Sequence, residues 1–336
     1  MRIALVNIPF RAPAEYGSEW ITVPPQGYGG IQWMVANLMR ALLEKGHAVA
    51  LLGAPGSPRA GPLHTVADAA TPAAVASWLA AEAYDVVHDH SDGAIFSAEW
   101  SRGAFLSTHH LTGKPKTATN AVFLSEAQKA MAGQPAAPVV RLPVDVSRHV
   151  FRERKRDYLL FLGRVSPWKG ALEAARFADA VGLRLYLAGP HWEEDYLASI
   201  LRRHGANTEV LGEVGGRDRL ELLADARAVL VMSQPVPGPW GGIWSAPGAS
   251  VVSEAAASGT PVISSDNGCL PEITPHVGVV VPAGERLSSR QARDVLARLP
   301  APAFVRAAAE REWGSHRIAS QYEDLYARVM RGERWN

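Results

Sequence analysis

The sequence predicts an α/β protein with two doubly wound domains, each built on a parallel sheet. Strand-like apolar runs alternate with helix-like segments through the first half of the chain, and the same alternation restarts after a charged stretch. Strands that alternate with helices form parallel sheets covered on both faces. The chain has 336 residues, of which 47% are hydrophobic, so it is long enough to bury two separate cores.

The first half carries the first set of elements. Its apolar runs predict strand-like segments at 2–8, 47–52, 86–88, 105–108, 120–123 and 139–141, and its amphipathic segments predict helices at 30–45, 73–83 and 125–131. The basic run at 152–156 interrupts the pattern and is typical of a solvated linker. The domain boundary is therefore placed at 150.

The second half repeats the pattern. Strands are predicted at 158–162, 183–187, 228–232, 261–264 and 277–281. Helices are predicted at 170–180, 220–224, 288–298, 303–313 and 316–330, with one more between Ser250 and Gly259. Two doubly wound domains joined by a short linker are expected to leave a ligand crevice between the carboxyl ends of their sheets. The predicted second domain extends over 151–312.

Composition narrows the classes of partner. The formal net charge is +1, and no Lys/Arg block stands out as a site for a polyanion, so there is no reason to expect a nucleic-acid partner. Residues 1–9 have too short an apolar run for a signal peptide, and no transmembrane segment is expected. The single cysteine, Cys269, fits a reducing, cytoplasmic location. The oligomeric state stays open.

The segment 246–263 has the pattern of a loop, a short helix of small residues and a buried strand. Gly248 allows a ligand to approach the backbone, Ser250 is a candidate N-cap, and Gly259 is a candidate helix stop. The free N–H groups of such a helix suit a phosphate. Glu254, one turn inside, could accept hydrogen bonds from the two hydroxyls of a ribose. Taken alone, the segment fits equally a helix packed on a sheet with Glu254 in solvent.

A second loop, 163–170, follows the first strand of the second half and carries Arg164 and Lys169. Two fixed cations can neutralise a diphosphate and stabilise it as a leaving group. Seen alone, they are two exposed loop cations. Together with the loop at Gly248, which follows an adjacent strand of the same sheet, they favour a phosphate site.

Three further segments contain glycines. Gly29 and Gly30 open the first helix, which suits either close approach of a sugar phosphate or a simple tight turn. Gly189 and the segment 212–216, with Val214 at its centre, are assigned to the nucleotide, since backbone amides there could face a nucleobase.

Histidines cluster after two strands of the first domain. His88, His90, His109 and His110 could bind a sugar hydroxyl or support developing positive charge. Four histidines with Asp89 could also hold zinc, but their spacing does not fix such a site, and no metal is expected. For His88, a core histidine satisfied by the backbone is the alternative.

These motifs resemble those of retaining, nucleotide-sugar-dependent glycosyltransferases of GT-B architecture, in the large family-4 group. The resemblance extends over nearly the whole chain, through segments 27–30, 85–88, 143–145, 163–170, 254–263, 270–273 and 313–326. Within this group, segments 24–33 and 238–244 are most similar to transferases of avilamycin-type orthosomycin antibiotic biosynthesis.

The resemblance implies a role for each candidate residue. Arg164 and Lys169 would hold the diphosphate, Glu254 the ribose, and His109, with His110 next to it, would be the catalytic-site histidine. The distal phosphate and the sugar would be bound by the amides of Gly248, Ala249, Ser250 and Val251. The last helix, within 313–336, would cross back to the first domain. The family needs neither metal nor cofactor.

One position departs from the family pattern. The family has a glutamate eight residues before Glu254, where this chain has Ala246. In the family, that glutamate touches the transferred sugar. Because Ala246 lacks this contact, the sequence supports binding of the donor more strongly than transfer of its sugar. The expected function is transfer of a sugar from a nucleoside diphosphate sugar, with UDP as the nucleotide, to a hydroxyl acceptor. The alternatives are an impaired nucleotide-sugar binding protein and a GT-B-type sugar-nucleotide epimerase.

Overall fold

The computed structural model describes residues 1–7, 10–11, 19–57, 64–66, 72–81, 83–92, 103–112, 120–239 and 241–335. It divides into two compact units, of which one is Met1–Pro143 with Trp313–Asn336 and the other is Val144–Glu312. The first unit is thus made of two separate stretches of chain. Its first stretch ends at Pro143, whereas the boundary predicted from the sequence lies at 150.

The first unit has a parallel sheet of six strands in the order β3-β2-β1-β4-β5-β6. Its strands are β1 (Arg2–Asn7), β2 (Ala48–Leu52), β3 (His64–Val66), β4 (Val86–His90), β5 (Ala104–Thr108) and β6 (Ala121–Val122). Its helices are α1 (Gly30–Glu44), α2 (Pro72–Ala81), α3 (Glu126–Ala132) and, from the end of the chain, α11 (Ser315–Met330). Helix α11 packs against α1, β4 and β5 and buries Tyr322 and Tyr326 completely.

The second unit has a parallel sheet in the order β12-β11-β10-β7-β8-β9. Its strands are β7 (Tyr158–Leu162), β8 (Arg184–Ala188), β9 (Thr208–Gly212), β10 (Ala228–Val231), β11 (Val262–Ser265) and β12 (Gly278–Val281). Its helices are α4 (Ala171–Val181), α5 (Glu194–His204), α6 (Gly216–Asp225), α7 (Ser250–Ala257), α8 (Leu270–Ile273), α9 (Ser289–Ala297) and α10 (Pro302–Trp313), which ends where the chain returns to the first unit.

Both sheets follow the same strand order, with the first strand of each unit lying beside the second and the fourth. In this doubly wound arrangement the chain direction across the sheet reverses between the first and fourth strands, and ligands bind at the carboxyl ends of those strands. The predicted fold class is confirmed. The apolar strands β1 and β7 are buried on both faces, as parallel strands covered by helices are.

Four elements, β3, α5, β9 and α8, were not predicted from the sequence, and the strand predicted at 139–141 is wrong. Val139 forms only an isolated bridge with Phe123. Helix α5 has a single buried residue, Ile200, so its apolar signal is weak. Its acidic first turn and basic last turn match the helix dipole and are the signal that could have identified it.

Candidate functional site

Two glycines bring the strand ends of the second unit close together. A Cβ on Gly170, which has φ +76°, would lie 1.6 Å from the carbonyl oxygen of Met232, just after β10. A Cβ on Gly189, which has φ +144°, would lie 2.1 Å from the carbonyl oxygen of Gly163, just after β7. Only glycine allows these approaches. The loops that follow β7, β8 and β10 therefore meet at one edge of the sheet.

Arg164 lies in the loop after β7 and is surrounded by aromatic rings. Its guanidinium carbon is 4.8 Å from the ring centroid of Trp168 and 4.4 Å from that of Trp192. Its Nη2 donates a hydrogen bond to Oε1 of Glu193 at 2.5 Å. The Nε of Arg164 and the Oε2 of Glu193 are buried with no hydrogen-bond partner among the described residues. Glu193 was not predicted from the sequence.

Lys169 lies at the end of the same loop. Its Nζ is 4.6 Å from the ring centroid of Trp244, which follows β10. No carboxylate of the described residues pairs with this ammonium group. Burial lowers the pKa of Lys169 to about 8, with Cys269 acting against the shift and Arg164 adding to it. Lys169 is thus a cation without a counter-ion in this part of the chain.

The loop after β10 is fastened to the loop after β11. Oδ1 of Asn267 accepts a hydrogen bond from the Ala246 N–H at 2.9 Å, and its Nδ2 donates to the Trp244 carbonyl at 3.1 Å. The indole N–H of Trp244 donates to Oγ of Ser233 at 2.9 Å. Ala246 is buried, and a Cβ on Gly268 would lie 2.3 Å from its carbonyl oxygen. The backbone at Ala246 is therefore fixed, and its methyl group offers no hydrogen-bonding atom.

The N-cap residue of helix α7 lies one residue earlier in the chain than predicted. Ala249 is the N-cap residue and has φ +45°, while Ser250 is already helical, so the prediction that Ser250 caps the helix is wrong. The left-handed turn falls on Ala249 rather than on Gly248. No side chain caps the helix, and its first turn, with Val251, holds no acidic residue. Gly259 follows the helix end with φ +65°, as predicted.

Glu254 is buried in α7, with 7% of its surface exposed, so the alternative of a solvated Glu254 is wrong. Its Oε2 accepts a hydrogen bond from Nη2 of Arg219, a buried residue of α6. Near this pair, Nδ1 of His149 donates to the Asp145 carbonyl at 3.0 Å, and its Nε2 is buried with no partner among the described residues. Sequence reasoning missed Arg219 and His149.

The two residues assigned to the nucleobase lie on neighbouring loops. The Gly189 N–H donates to the carbonyl of Gly212 at 2.7 Å, which ties the loop after β8 to the end of β9. Val214 is partly exposed between β9 and the N-cap residue of α6, Gly215. The structure thus brings Gly189 close to the segment that holds Val214.

In the first unit, Gly29 is the N-cap residue of α1 and Gly30 is its first residue. Gly29 has φ +146°, and a Cβ there would lie 2.8 Å from Cγ2 of Ile21. No side chain caps this helix, and its first turn has no acidic residue. The glycine at 29 is thus required by local packing, and no side chain of the described residues caps the amides of the first turn.

His109 is buried beside a carboxylate that also binds the backbone. Its Nδ1 is 3.4 Å from Oδ1 of Asp92, and its ring stacks on Phe123 with 5.5 Å between centroids. The same Oδ1 accepts from the N–H of His110 at 2.8 Å and of Leu111 at 3.3 Å. Burial raises the pKa of Asp92, but the hydrogen bond with His109 and the nearby His110 outweigh it and lower the pKa overall. The Nε2 of His109 has no partner among the described residues.

The other three histidines form a buried row. His88 lies between the hydroxyls of Tyr326 and Thr108, each at 2.8 Å, so its partners are side chains and not the backbone groups considered in the alternative. Nδ1 of His90 is 3.1 Å from Nε2 of His110. Burial lowers the pKa of all three, to about 4 for His110. No group of three or more potential metal ligands is arranged around a common point among the described residues.

Two doubly wound units of this kind, with cations and a helix N-terminus at one sheet edge, define the GT-B class of glycosyltransferases. The chain is 54% identical to AviGT4, a glycosyltransferase involved in avilamycin A biosynthesis, over 100% of this chain and 99% of that chain, with a TM-score of 0.94. The sequence profile of the glycosyl transferases group 1 matches residues 156–297. The chain belongs to this glycosyltransferase family.

More distant structures share the fold. Sucrose-phosphate synthase from Thermosynechococcus elongatus is 16% identical, with a TM-score of 0.73 over 99% of this chain and 100% of that chain. HepE of Anabaena, in complex with UDP-glucose, is 17% identical, with a TM-score of 0.68 over 97% of this chain and 99% of that chain. Among curated protein sequences, none matches the chain. In the part of the chain that the structure describes, no helix has the length and apolar character needed to cross a membrane.

Proposed function

We propose that the protein is a retaining glycosyltransferase that moves a sugar from a UDP-sugar to a hydroxyl acceptor, in the biosynthesis of an antibiotic. One observation carries the proposal. The cations Arg164 and Lys169 lie at the same sheet edge as the loop that leads into α7, since Lys169 contacts Trp244 of that loop. The uncapped first turn of α7 adds a positive end to this edge.

This arrangement suits a diphosphate leaving group. In the proposed reaction the bond between the anomeric carbon and the diphosphate oxygen breaks, and a bond to the acceptor oxygen forms on the same face. The acceptor proton passes to the departing diphosphate. Arg164, Lys169 and the amides of Gly248, Ala249, Ser250 and Val251 stabilise the negative charge that develops on it. No metal or cofactor takes part.

The remaining candidate residues receive roles that follow from the resemblance. Glu254 accepts from the ribose hydroxyls, and Gly189 and Val214 contribute backbone groups to the base. His109 and His110 contribute to the catalytic site, and Gly29 and Gly30 present backbone amides to a sugar or phosphate. HepE, which shares the fold, has been crystallised with UDP-glucose. The relation to AviGT4 supports a role in antibiotic assembly, and the single Cys269 supports a cytoplasmic location.

Ala246 favours a second candidate, a nucleotide-sugar binding protein without turnover. Loss of one group that stabilises a transition state can slow an enzyme by about a hundredfold or more. The methyl group of Ala246 cannot accept from a sugar hydroxyl or face developing positive charge. A binding protein of this kind would therefore bind the whole donor but would not transfer its sugar.

One experiment separates the candidates. The protein is titrated calorimetrically with UDP, GDP, ADP and dTDP, and is then incubated with UDP-sugars and hydroxyl acceptors, with products identified by mass spectrometry and NMR. A glycosylated product with retained configuration supports the proposal. Tight binding without product supports the binding protein, and an epimerised donor identifies an epimerase. Failure of every nucleotide to bind rejects both main candidates.

Lys169→Ala serves as the variant for the donor site. It removes the cation that has no carboxylate partner in the described part of the chain, so the affinity for UDP should fall at least about tenfold. Unchanged affinity would show that the diphosphate does not bind at the loop of Lys169.

A further inference from the structure

Arg219 and Glu254 form a buried pair between two helices of the second unit. Arg219 lies in the first turns of α6 and Glu254 in the middle of α7, and both are less than a tenth exposed. The guanidinium donates to Oε2 of the carboxylate. The pair links residues 35 positions apart in the chain.

The other cation that acts on His149, Arg306, is engaged elsewhere. Arg306 donates through Nη1 to the backbone carbonyls of His149 and Ala257 and through Nε to Glu310. Burial lowers the pKa of His149, and Arg219 and Arg306 lower it further, against the opposing effects of Asp145 and Glu254. At neutral pH His149 is therefore an uncharged ring. Arg219 is the residue whose guanidinium contacts the Glu254 carboxylate.

The groups left open in this cluster are acceptors. No described residue donates a hydrogen bond to Oε1 of Glu254. His149 uses Nδ1 to donate to the backbone, so the lone pair is on Nε2, which is buried with no partner among the described residues. A ligand that completes the cluster must bring hydroxyl donors rather than acceptors. A vicinal diol, such as that of a ribose, has this chemistry.

We infer that Arg219 is a positioning residue for ribose recognition, which holds the Glu254 carboxylate by Oε2 so that Oε1 faces the sugar diol. A carboxylate tied by one oxygen has a fixed plane, whereas a free one would rotate about its last bond and lose part of its directional preference. The inference rests on the proposed function, since it assumes that Glu254 binds the ribose of the donor nucleotide.

The test compares UDP with 2′-deoxy-UDP, which lacks one hydroxyl of the diol. Calorimetric dissociation constants are measured for the full chain, for Arg219→Met and for Arg219→Lys. We expect the unaltered protein to prefer UDP about tenfold, because a good hydrogen bond to a charged group is lost with the hydroxyl. In Arg219→Met, UDP should bind about tenfold more weakly and 2′-deoxy-UDP nearly unchanged, so the preference disappears. Arg219→Lys keeps the charge and should recover part of the preference.

The control is Arg217→Met on the same helix. Arg217 is exposed and pairs only with Glu221 on the surface among the described residues, so its loss should leave the preference unchanged. If Arg219→Met does not fold, the comparison is made with Arg219→Lys alone. In that case, a preference for UDP over 2′-deoxy-UDP equal to that of the unaltered protein overturns the inference.

A purely structural role predicts a different pattern. In that case Arg219→Met lowers the melting temperature and weakens both nucleotides equally, which overturns the inference. If instead Arg219 positions Glu254, the KM of Arg219→Met for a UDP-sugar donor should rise by a larger factor than its kcat falls. If the unaltered protein binds no nucleoside diphosphate, the proposed function fails. If it binds UDP and 2′-deoxy-UDP alike, the donor site stands and only the role of Arg219 and Glu254 is rejected.

Discussion

Arg164 donates a hydrogen bond of 2.5 Å to Glu193, so a carboxylate holds the cation that we assign to the diphosphate. Glu193 lies directly before α5, and the tryptophan rings on either side of Arg164 limit where its guanidinium can move. A diphosphate and the Glu193 carboxylate are both anions that favour the same donor groups. They therefore compete for Arg164.

Glu193→Gln should strengthen UDP binding. The amide keeps the shape of the side chain but holds Arg164 less tightly than a carboxylate, so less free energy is lost when the diphosphate takes over. We expect the dissociation constant to fall about threefold to tenfold in calorimetry. Glu194→Gln, the exposed neighbour in α5, should leave the constant unchanged. Weaker binding in Glu193→Gln would mean that Glu193 supports Arg164 instead of competing for it.

The pKa of about 8 for Lys169 makes donor binding depend on pH. Only the protonated amine attracts the diphosphate, so affinity for UDP should fall as the pH rises through this pKa, by at most about tenfold per pH unit. Above pH 8, binding should be accompanied by proton uptake, which calorimetry detects in buffers of different ionisation enthalpy. In Lys169→Arg the side chain stays charged across this pH range. If UDP affinity falls with pH as steeply in that variant as in the unaltered protein, Lys169 is not the cause of the fall.

The same shift has a consequence for stability. The pKa of Lys169 is lower in the folded protein than its ordinary value of 10.5, so the unfolded chain binds more protons between about pH 8 and 10.5. The contribution of Lys169 to the free energy of unfolding should therefore rise with pH across that window. Chemical denaturation of Lys169→Met at several pH values should lack this part of the rise.

Gly170→Ala should destabilise the second unit far more than Gly182→Ala. Both glycines have left-handed backbones, with φ +76° and +73°, but a Cβ on Gly170 would meet the Met232 carbonyl at 1.6 Å while one on Gly182 meets nothing within 4 Å. The conformational cost alone is about 1 kcal/mol, expected for Gly182→Ala. The overlap at Gly170 should bring the loss to about 3 kcal/mol or more. Equal losses in urea unfolding would contradict the close approach.

Asp92→Asn should slow turnover and leave UDP binding unchanged. The carboxylate of Asp92 accepts from the backbone of His110 and lies beside Nδ1 of His109, so it fixes the orientation of the His109 ring. An amide can donate to Nδ1 and so favours the other tautomer, which should reduce kcat about tenfold. Asp85→Asn, an exposed change just before β4, is the control. A normal kcat in Asp92→Asn would show that the orientation of the His109 ring does not affect catalysis.

The repeated alternation of strands and helices was sufficient to predict the fold class, because apolar runs such as β1 and β7 differ clearly from amphipathic helices such as α1. Helix ends were less certain. Gly259 was predicted correctly from the sequence, since glycine is the usual residue in a left-handed helix stop. Ser250 was not, because the left-handed turn that begins α7 falls on Ala249, a residue type that rarely adopts it.

The site was predictable only in part. Arg164, Lys169 and Glu254 stand in local motifs, so sequence spacing was enough to select them. Arg219 and Glu193 act through partners 35 and 29 residues away, and nothing in the chain order marks those pairs. Asn267 has the same character, since it fastens Ala246 from another loop. Such residues become visible only when the sheet places its loops side by side.

The first unit is completed by residues that are synthesised after the whole second unit. Tyr326 and Tyr322 of α11 provide the hydroxyls next to His88 and Thr108. The backbone N–H of Asn120 donates to the Trp335 carbonyl, and the backbone N–H of Trp335 donates to Oδ1 of Asn120. On the ribosome, the second unit has all of its own strands available while the first still lacks this helix. The order of folding is thus expected to be the reverse of the order of translation, with the earlier half closing last.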